Sequence, residues 1–148
     1  MTSQILFTCL SLIAGIGIPV MVALNSSLGV QLGSPNAAAV VLFLVGICAT
    51  SLILVISGSY PKSLAINISP AYFLGGVIVA IYILTITWIA PRFGVGNVIF
   101  FVLVGQLISA VIIDHYGLMG AAQFSINSSR FIGLLLMAVG VFLARKVT

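Results

Sequence analysis

The sequence predicts an all-α membrane protein of five transmembrane helices, and three observations predict it. The 148 residues are 62% hydrophobic and only 4% charged, with a mean hydropathy of +1.40. A soluble domain of this size cannot hide that much apolar surface, so lipid is the expected solvent. Second, residues 5–24, 37–57, 71–90 and 93–113 are apolar runs of the roughly 20 residues that a membrane span needs. Third, the period-2 alternation of transmembrane strands is absent from these runs. The spans are placed at residues 4–25, 36–58, 70–90, 93–114 and 127–145, in a single transmembrane domain.

The first span carries Gly15, Gly17 and Pro19. Proline removes a backbone hydrogen bond and crowds the preceding turn, so a kink near mid-membrane is expected. The freed carbonyl serves packing or is offered to a ligand. Asn25, Ser26 and Ser27 follow at the far end, where Asn25 caps the helix, bonds a neighbour or lines a path. Gly33-Ser34-Pro35 predicts a very short turn, with Pro35 entering the second helix. A polar loop rich in Ser and Pro joins the second and third spans.

The third span is expected to end at Trp88 and Pro91, with Arg92 in the following turn. Trp88 reads as an interfacial anchor or a path-lining residue; Tyr82 lies deeper, where its hydroxyl needs a partner. The fourth span holds Asn97 and Gln106. An amide in mid-bilayer must find a protein partner, a cavity or a solute. Residues 106, 110 and 114 lie one turn apart, so Gln106 and Asp114 share a flank with Ala110 between them; Asn97 falls on roughly the opposite side, as a packing or dimer contact. The fifth run, residues 131–144, is short and spans only if Arg130 and the Arg145-Lys146 pair snorkel to the interfaces.

Small residues recur four apart: Gly46 and Thr50, Gly76 and Ala80, Gly105 and Ser109, Gly140 and Ala144. Such pairs let helices approach closely, and in four spans they predict a compact bundle.

The formal net charge is +4, from five basic residues and one acidic. The basic residues flank spans and suit phospholipid headgroups, not nucleic acid. Asp114, the only acidic side chain, sits near a span end beside His115, the only histidine. It forms a salt bridge or takes part in coupling. With no acid deep in any helix, a proton-coupled exporter built on a central carboxylate is disfavoured. Cys9 and Cys48 read as apolar filler, and no spacing supports a metal site or a cofactor. No nucleophile–base arrangement points to an enzyme. The N-terminus lacks the positive stretch of a signal peptide.

With five spans, Lys62 and Arg130 fall on one side and Arg92, Arg145 and Lys146 on the other. Two against three is almost no bias, so mixed orientation is expected, or the two C-terminal charges fix the C-terminus inside. Mixed insertion permits an antiparallel dimer with the inverted-repeat plan of secondary transporters.

Several segments carry a resemblance: Asn25-Ser-Ser-Leu-Gly, Gly33-Ser-Pro, Phe43-Leu-Val-Gly, Gly75-Gly and Ala90-Pro-Arg-Phe-Gly, then above all Gly105-Gln-Leu with Asp114-His-Tyr-Gly, and finally Arg130-Phe-Ile-Gly and Gly140-Val-Phe-Leu-Ala-Arg. Over nearly its whole length the chain resembles the YdcZ family, the half-length, five-span bacterial branch of the drug/metabolite transporter superfamily. The resemblance implies one half of a ten-helix inverted-repeat bundle in the bacterial inner membrane. It implies an antiparallel pair, with itself or with a related five-span chain.

The expected function is alternating-access transport of a small polar or amphipathic solute. Gln106, Asn25, Tyr82, Trp88 and Asn97 are the binding candidates; Asp114, Pro19, Gly15 and Gly17 are the candidates for coupling or gating. The rival readings are a non-transporting subunit that stabilises a partner, and a simple pore.

Overall fold

The computed structural model describes residues 2–60 and 69–144. Among these, five α-helices follow in order: α1 (Thr2–Gln31), α2 (Pro35–Ser57), α3 (Leu74–Phe93), α4 (Val95–Tyr116) and α5 (Ser128–Ala144). Short 3-10 turns precede α3 at Pro70–Phe73 and follow α4 at Leu118–Gly120. No strand occurs among the described residues. Lys62, Arg145 and Lys146, on which the charge argument partly rests, lie outside them.

Four helical segments are long and apolar enough to cross a membrane: Gln4–Gln31, Pro35–Ser57, Pro70–Phe93 and Val95–Tyr116. The fifth helix has 17 residues, about 26 Å at 1.5 Å per residue, a little short of the ~30 Å hydrocarbon layer. Most large apolar side chains on these helices are exposed, Ile16 at 68% and Leu143 at 76% among them. In water such a surface would aggregate; in lipid it is the outside of the protein.

The chain divides into two compact units, Met1–Arg92 and Phe93–Thr148. In the first, α1 and α2 pack as a hairpin. The turn between them works as its sequence suggests. Gly33 takes the left-handed φ of +62°, a conformation that costs glycine nothing. Ser34 then caps α2, its Oγ accepting from the Ala37 N–H at 3.2 Å, with Pro35 as the first helical residue.

Two expected helix ends move outward. α1 does not stop near Asn25 but continues to Gln31, which places Asn25 inside the helix and removes its role as a cap. α3 runs through Pro91 and Arg92 to Phe93. Proline is tolerated there because the one carbonyl deprived of its N–H belongs to Thr87, near the helix end. Pro19, in the same way, lies inside a single continuous α1, and leaves the Gly15 carbonyl without its usual donor.

The second unit pairs α4 with α5. Asn127 opens α5, its side-chain oxygen accepting from the Arg130 N–H at 2.8 Å.

The small-residue pairs behave differently from expectation. A Cβ added at Gly46, Gly76, Gly105 or Gly140 would meet no atom of another element within 4 Å. These glycines therefore do not bring helices together inside the described chain. The close approach falls at Gly29 instead. A Cβ there would stand 3.3 Å from the Pro35 Cα and 3.3 Å from the Thr87 Cγ2.

Candidate functional site

The first unit buries one stripe on each of two helices. On α1 it is Val22, Asn25, Ser26 and Gly29; on α3 it is Ile83, Ile86, Thr87 and Ala90. Both sets have the spacing i, i+3, i+4, i+7, which is one face of a helix. Each stripe carries polar groups among apolar ones. They meet where Asn25 Nδ2 donates to Thr87 Oγ1 at 2.6 Å. Asn25 is 5% exposed and Thr87 1%. The bond supplies the amide with the partner that neither lipid nor water provides at that depth. Ser26 turns its hydroxyl back onto the Ala23 carbonyl at 3.1 Å.

Thr87 is not legible as a site residue from sequence. It reads as one hydroxyl in an apolar run, and only its place on the 83–86–90 stripe and four residues before Pro91 marks it out.

One turn and a little before Thr87, Tyr82 presents the opposite case. Its hydroxyl oxygen is buried and makes no hydrogen bond to any described residue. Such a group costs a few kcal/mol unless something from outside satisfies it. Trp88, on the same helix, is 53% exposed. Its ring lies under the Arg92 guanidinium, 4.8 Å from the ring centroid, and Arg92 Nη1 also donates to the Trp88 carbonyl. Gly15 and Gly17 face open space on α1.

In the second unit, Gln106 is exposed near the middle of α4, and makes no hydrogen bond to a described residue. Asn97 is 8% exposed, and its Nδ2 donates to the Phe93 carbonyl one turn back, at 3.0 Å. Gln106, Ala110 and Asp114 follow one another a turn apart on the continuous α4, but they differ in their partners. Asp114 is tied to the α5 side, its Oδ2 accepting from Arg130 Nη2. Ala110 borders a cavity whose wall also includes Arg130 and Gly133, while Gln106 stands outside it.

The segment from Gly117 to Asn127 closes over this ion pair. The Asp114 carbonyl accepts from the Phe124 N–H at 2.8 Å. The Phe124 carbonyl accepts from Arg130 Nη1 at 3.4 Å. His115 Nδ1 accepts from the Ile126 N–H at 3.2 Å, and its carbonyl from Gln123 Nε2 at 3.0 Å. Asp114 and His115 thus fasten the α4–α5 connection. Among the described residues no group of three or more His, Cys, Asp or Glu could hold a metal ion.

Apolar helices of spanning length, an exposed lipid-compatible surface and polar side chains held inside it define a multi-pass membrane protein. A family model described as "Putative inner membrane exporter, YdcZ" matches residues 6–143, nearly the whole chain. The chain belongs to that family, a family of membrane transporters and not an enzyme class. Searches of curated proteins and of solved structures give no match.

Proposed function

We propose that the chain is a transporter of the bacterial inner membrane that exports a small polar or amphipathic solute by alternating access, acting as an antiparallel pair of chains. The observation that carries this reading is Gln106. It is an amide at the middle of a 22-residue apolar helix, exposed on its own chain in a solvent that cannot bond it. A second chain or a solute then satisfies it. The buried Tyr82 hydroxyl, without a hydrogen-bond partner among the described residues, supports the same reading from the first unit, as a second polar group held ready. The solute is neutral, zwitterionic or weakly charged, since the only acidic side chain is already engaged by Arg130.

The roles divide accordingly. Gln106 in the second unit and Tyr82 in the first are each polar groups that can bond a solute. Asn25 holds the second half of α1 against α3. Trp88, in the first unit, and Asn97, in the second, are the further candidates for contact with a solute. Pro19, with Gly15 and Gly17, lets α1 bend as access alternates, and Asp114 holds the α4–α5 connection through the change.

The test is flux into liposomes carrying the purified chain, over a panel of neutral, zwitterionic and weakly charged solutes. Saturable flux that Gln106→Leu abolishes while the dimer survives is the expected result. Loss of the dimer itself would make Gln106 a structural contact. Flux without saturation would indicate a pore. No flux, with stability gained only beside another membrane protein, would indicate a subunit.

A further inference from the structure

Arg92 stands in the last turn of α3, on the wall of a cavity of about 350 Å³. The other walls are Gly29, Val30, Gly33 and Pro35 from the α1–α2 hairpin, and Thr87 and Pro91 from α3. All belong to the first unit. The cavity lies where α1 ends, α2 begins and α3 ends, at the limits of three apolar segments, which is the level of a membrane surface.

Among the described residues, Arg92 is the only charged group in these walls. The chain has one acidic side chain, Asp114, and that one is paired with Arg130. No carboxylate side chain remains to balance Arg92, so its counter-charge comes from another molecule. The guanidinium is already held in place. It rests on the Trp88 ring and uses one donor on the Trp88 carbonyl, out of five N–H donors in all. Glycine and proline make up four of the remaining six wall residues, so few side chains fill the space or compete for a ligand. Its volume falls within the roughly 300–1,000 Å³ of small-molecule sites.

We propose that this cavity binds a phosphate group at the membrane surface, with Arg92 as its charge partner. The planar guanidinium fork matches phosphate oxygens two at a time, and phosphate is the anion concentrated at that level of the bilayer. The group comes from a phospholipid head or from free phosphate. The inference is independent of the transport reading; it needs neither a second chain nor a solute path.

Native mass spectrometry of the full chain in neutral detergent tests it, with phosphatidylglycerol, the uncharged diacylglycerol of the same chains, and inorganic phosphate as probes. The expected result is retention of phosphatidylglycerol over diacylglycerol, weakened about tenfold by Arg92→Gln and less by Arg92→Lys, which keeps the charge and loses the fork. Val30→Trp, which fills the cavity and keeps Arg92, also weakens it. If Val30→Trp fails to elute as folded protein, the Gln and Lys variants decide. Inorganic phosphate that competes with the lipid assigns the site to free phosphate; lipid bound without competition assigns it to the headgroup. Binding unchanged in Arg92→Gln overturns the proposal and leaves Arg92 as a cation complementing the α3 carbonyls. An equal loss in Lys146→Gln, far along the chain, overturns it as bulk charge.

Discussion

Thr87 and Asn25 show how one side-chain pair settles two helices. An amide inside an apolar helix destabilises it unless the partner is close and correctly placed, and Thr87 Oγ1 lies 2.6 Å away. Replacing Thr87 with Val keeps the shape and removes the acceptor. Interhelical bonds of this kind are worth about 0.6–2 kcal/mol, so Thr87→Val is expected to lower the thermal stability of the detergent-purified protein by about that amount. Thr87→Ser restores most of the loss. Equal melting of Thr87→Val and the parent would show that the bond contributes nothing. Two other threonine hydroxyls are satisfied within their own helix: Thr50 donates to the Gly46 carbonyl and Thr85 to the Ile81 carbonyl, each at 2.8 Å. That is the usual solution where a side chain faces lipid.

At the scale of the element, the contrast between Gly29 and the other helical glycines decides which small residues build this chain. Gly29 is wedged between α2 and α3, and Gly46 and Gly105 face open space. Gly29→Ala sets a methyl 3.3 Å from the Pro35 Cα and the Thr87 Cγ2, so both must give by a few tenths of an ångström, which offsets the advantage of about 1 kcal/mol that alanine has over glycine in a helix. Gly46→Ala adds a methyl where nothing stands. Thermal melting of the two variants separates them: in the monomeric chain Gly29→Ala is expected to melt lower than Gly46→Ala, and equal melting would show that the Gly29 contact yields without cost. A loss of dimer in Gly105→Ala, without loss of monomer stability, would place the small face of α4 between chains. The same contrast bears on reading helices from sequence. Four small-residue pairs inside the spans stand out by their spacing, yet the tight contact forms at Gly29, whose small neighbour four residues on, Gly33, lies beyond the helix in the turn, because contact depends on which face the hairpin turn presents.

For the whole molecule, orientation in the membrane is the property on which the antiparallel arrangement turns. On the proposed five-span arrangement the basic residues of the sequence divide two against three between the sides, and neither orientation is expected to have a strong electrostatic preference. Two lysines added within the 59–70 loop are expected to drive insertion one way. The readout is labelling of a single cysteine placed at the C-terminus, with an impermeant thiol reagent, after Cys9 and Cys48 are replaced. The parent then labels partly from outside and fully after lysis, and the lysine variant labels from one side. Identical labelling of the two would remove the charge-balance argument. A parent confined to one side would direct the search to an oppositely oriented related chain.

The sequence by itself determined that this is a helical membrane protein of the YdcZ family, because hydropathy and helix length are local properties and the matching motifs are contiguous. It also placed the Gly33–Pro35 turn and singled out Gln106 and Asp114, since a polar residue in an apolar run is conspicuous wherever the chain goes. Only the tertiary structure decided which polar groups are partnered. Asn25 moved from a helix end to the helix interior and met Thr87, 62 positions away. Asp114 found Arg130 across the α4–α5 connection, and Tyr82 and Gln106 found no hydrogen-bond partner among the described residues. A hydrogen bond between helices depends on register and on the rotation of each helix about its axis, and lipid, being as apolar as the side chains it meets, leaves little trace of either in the pattern of hydrophobic residues.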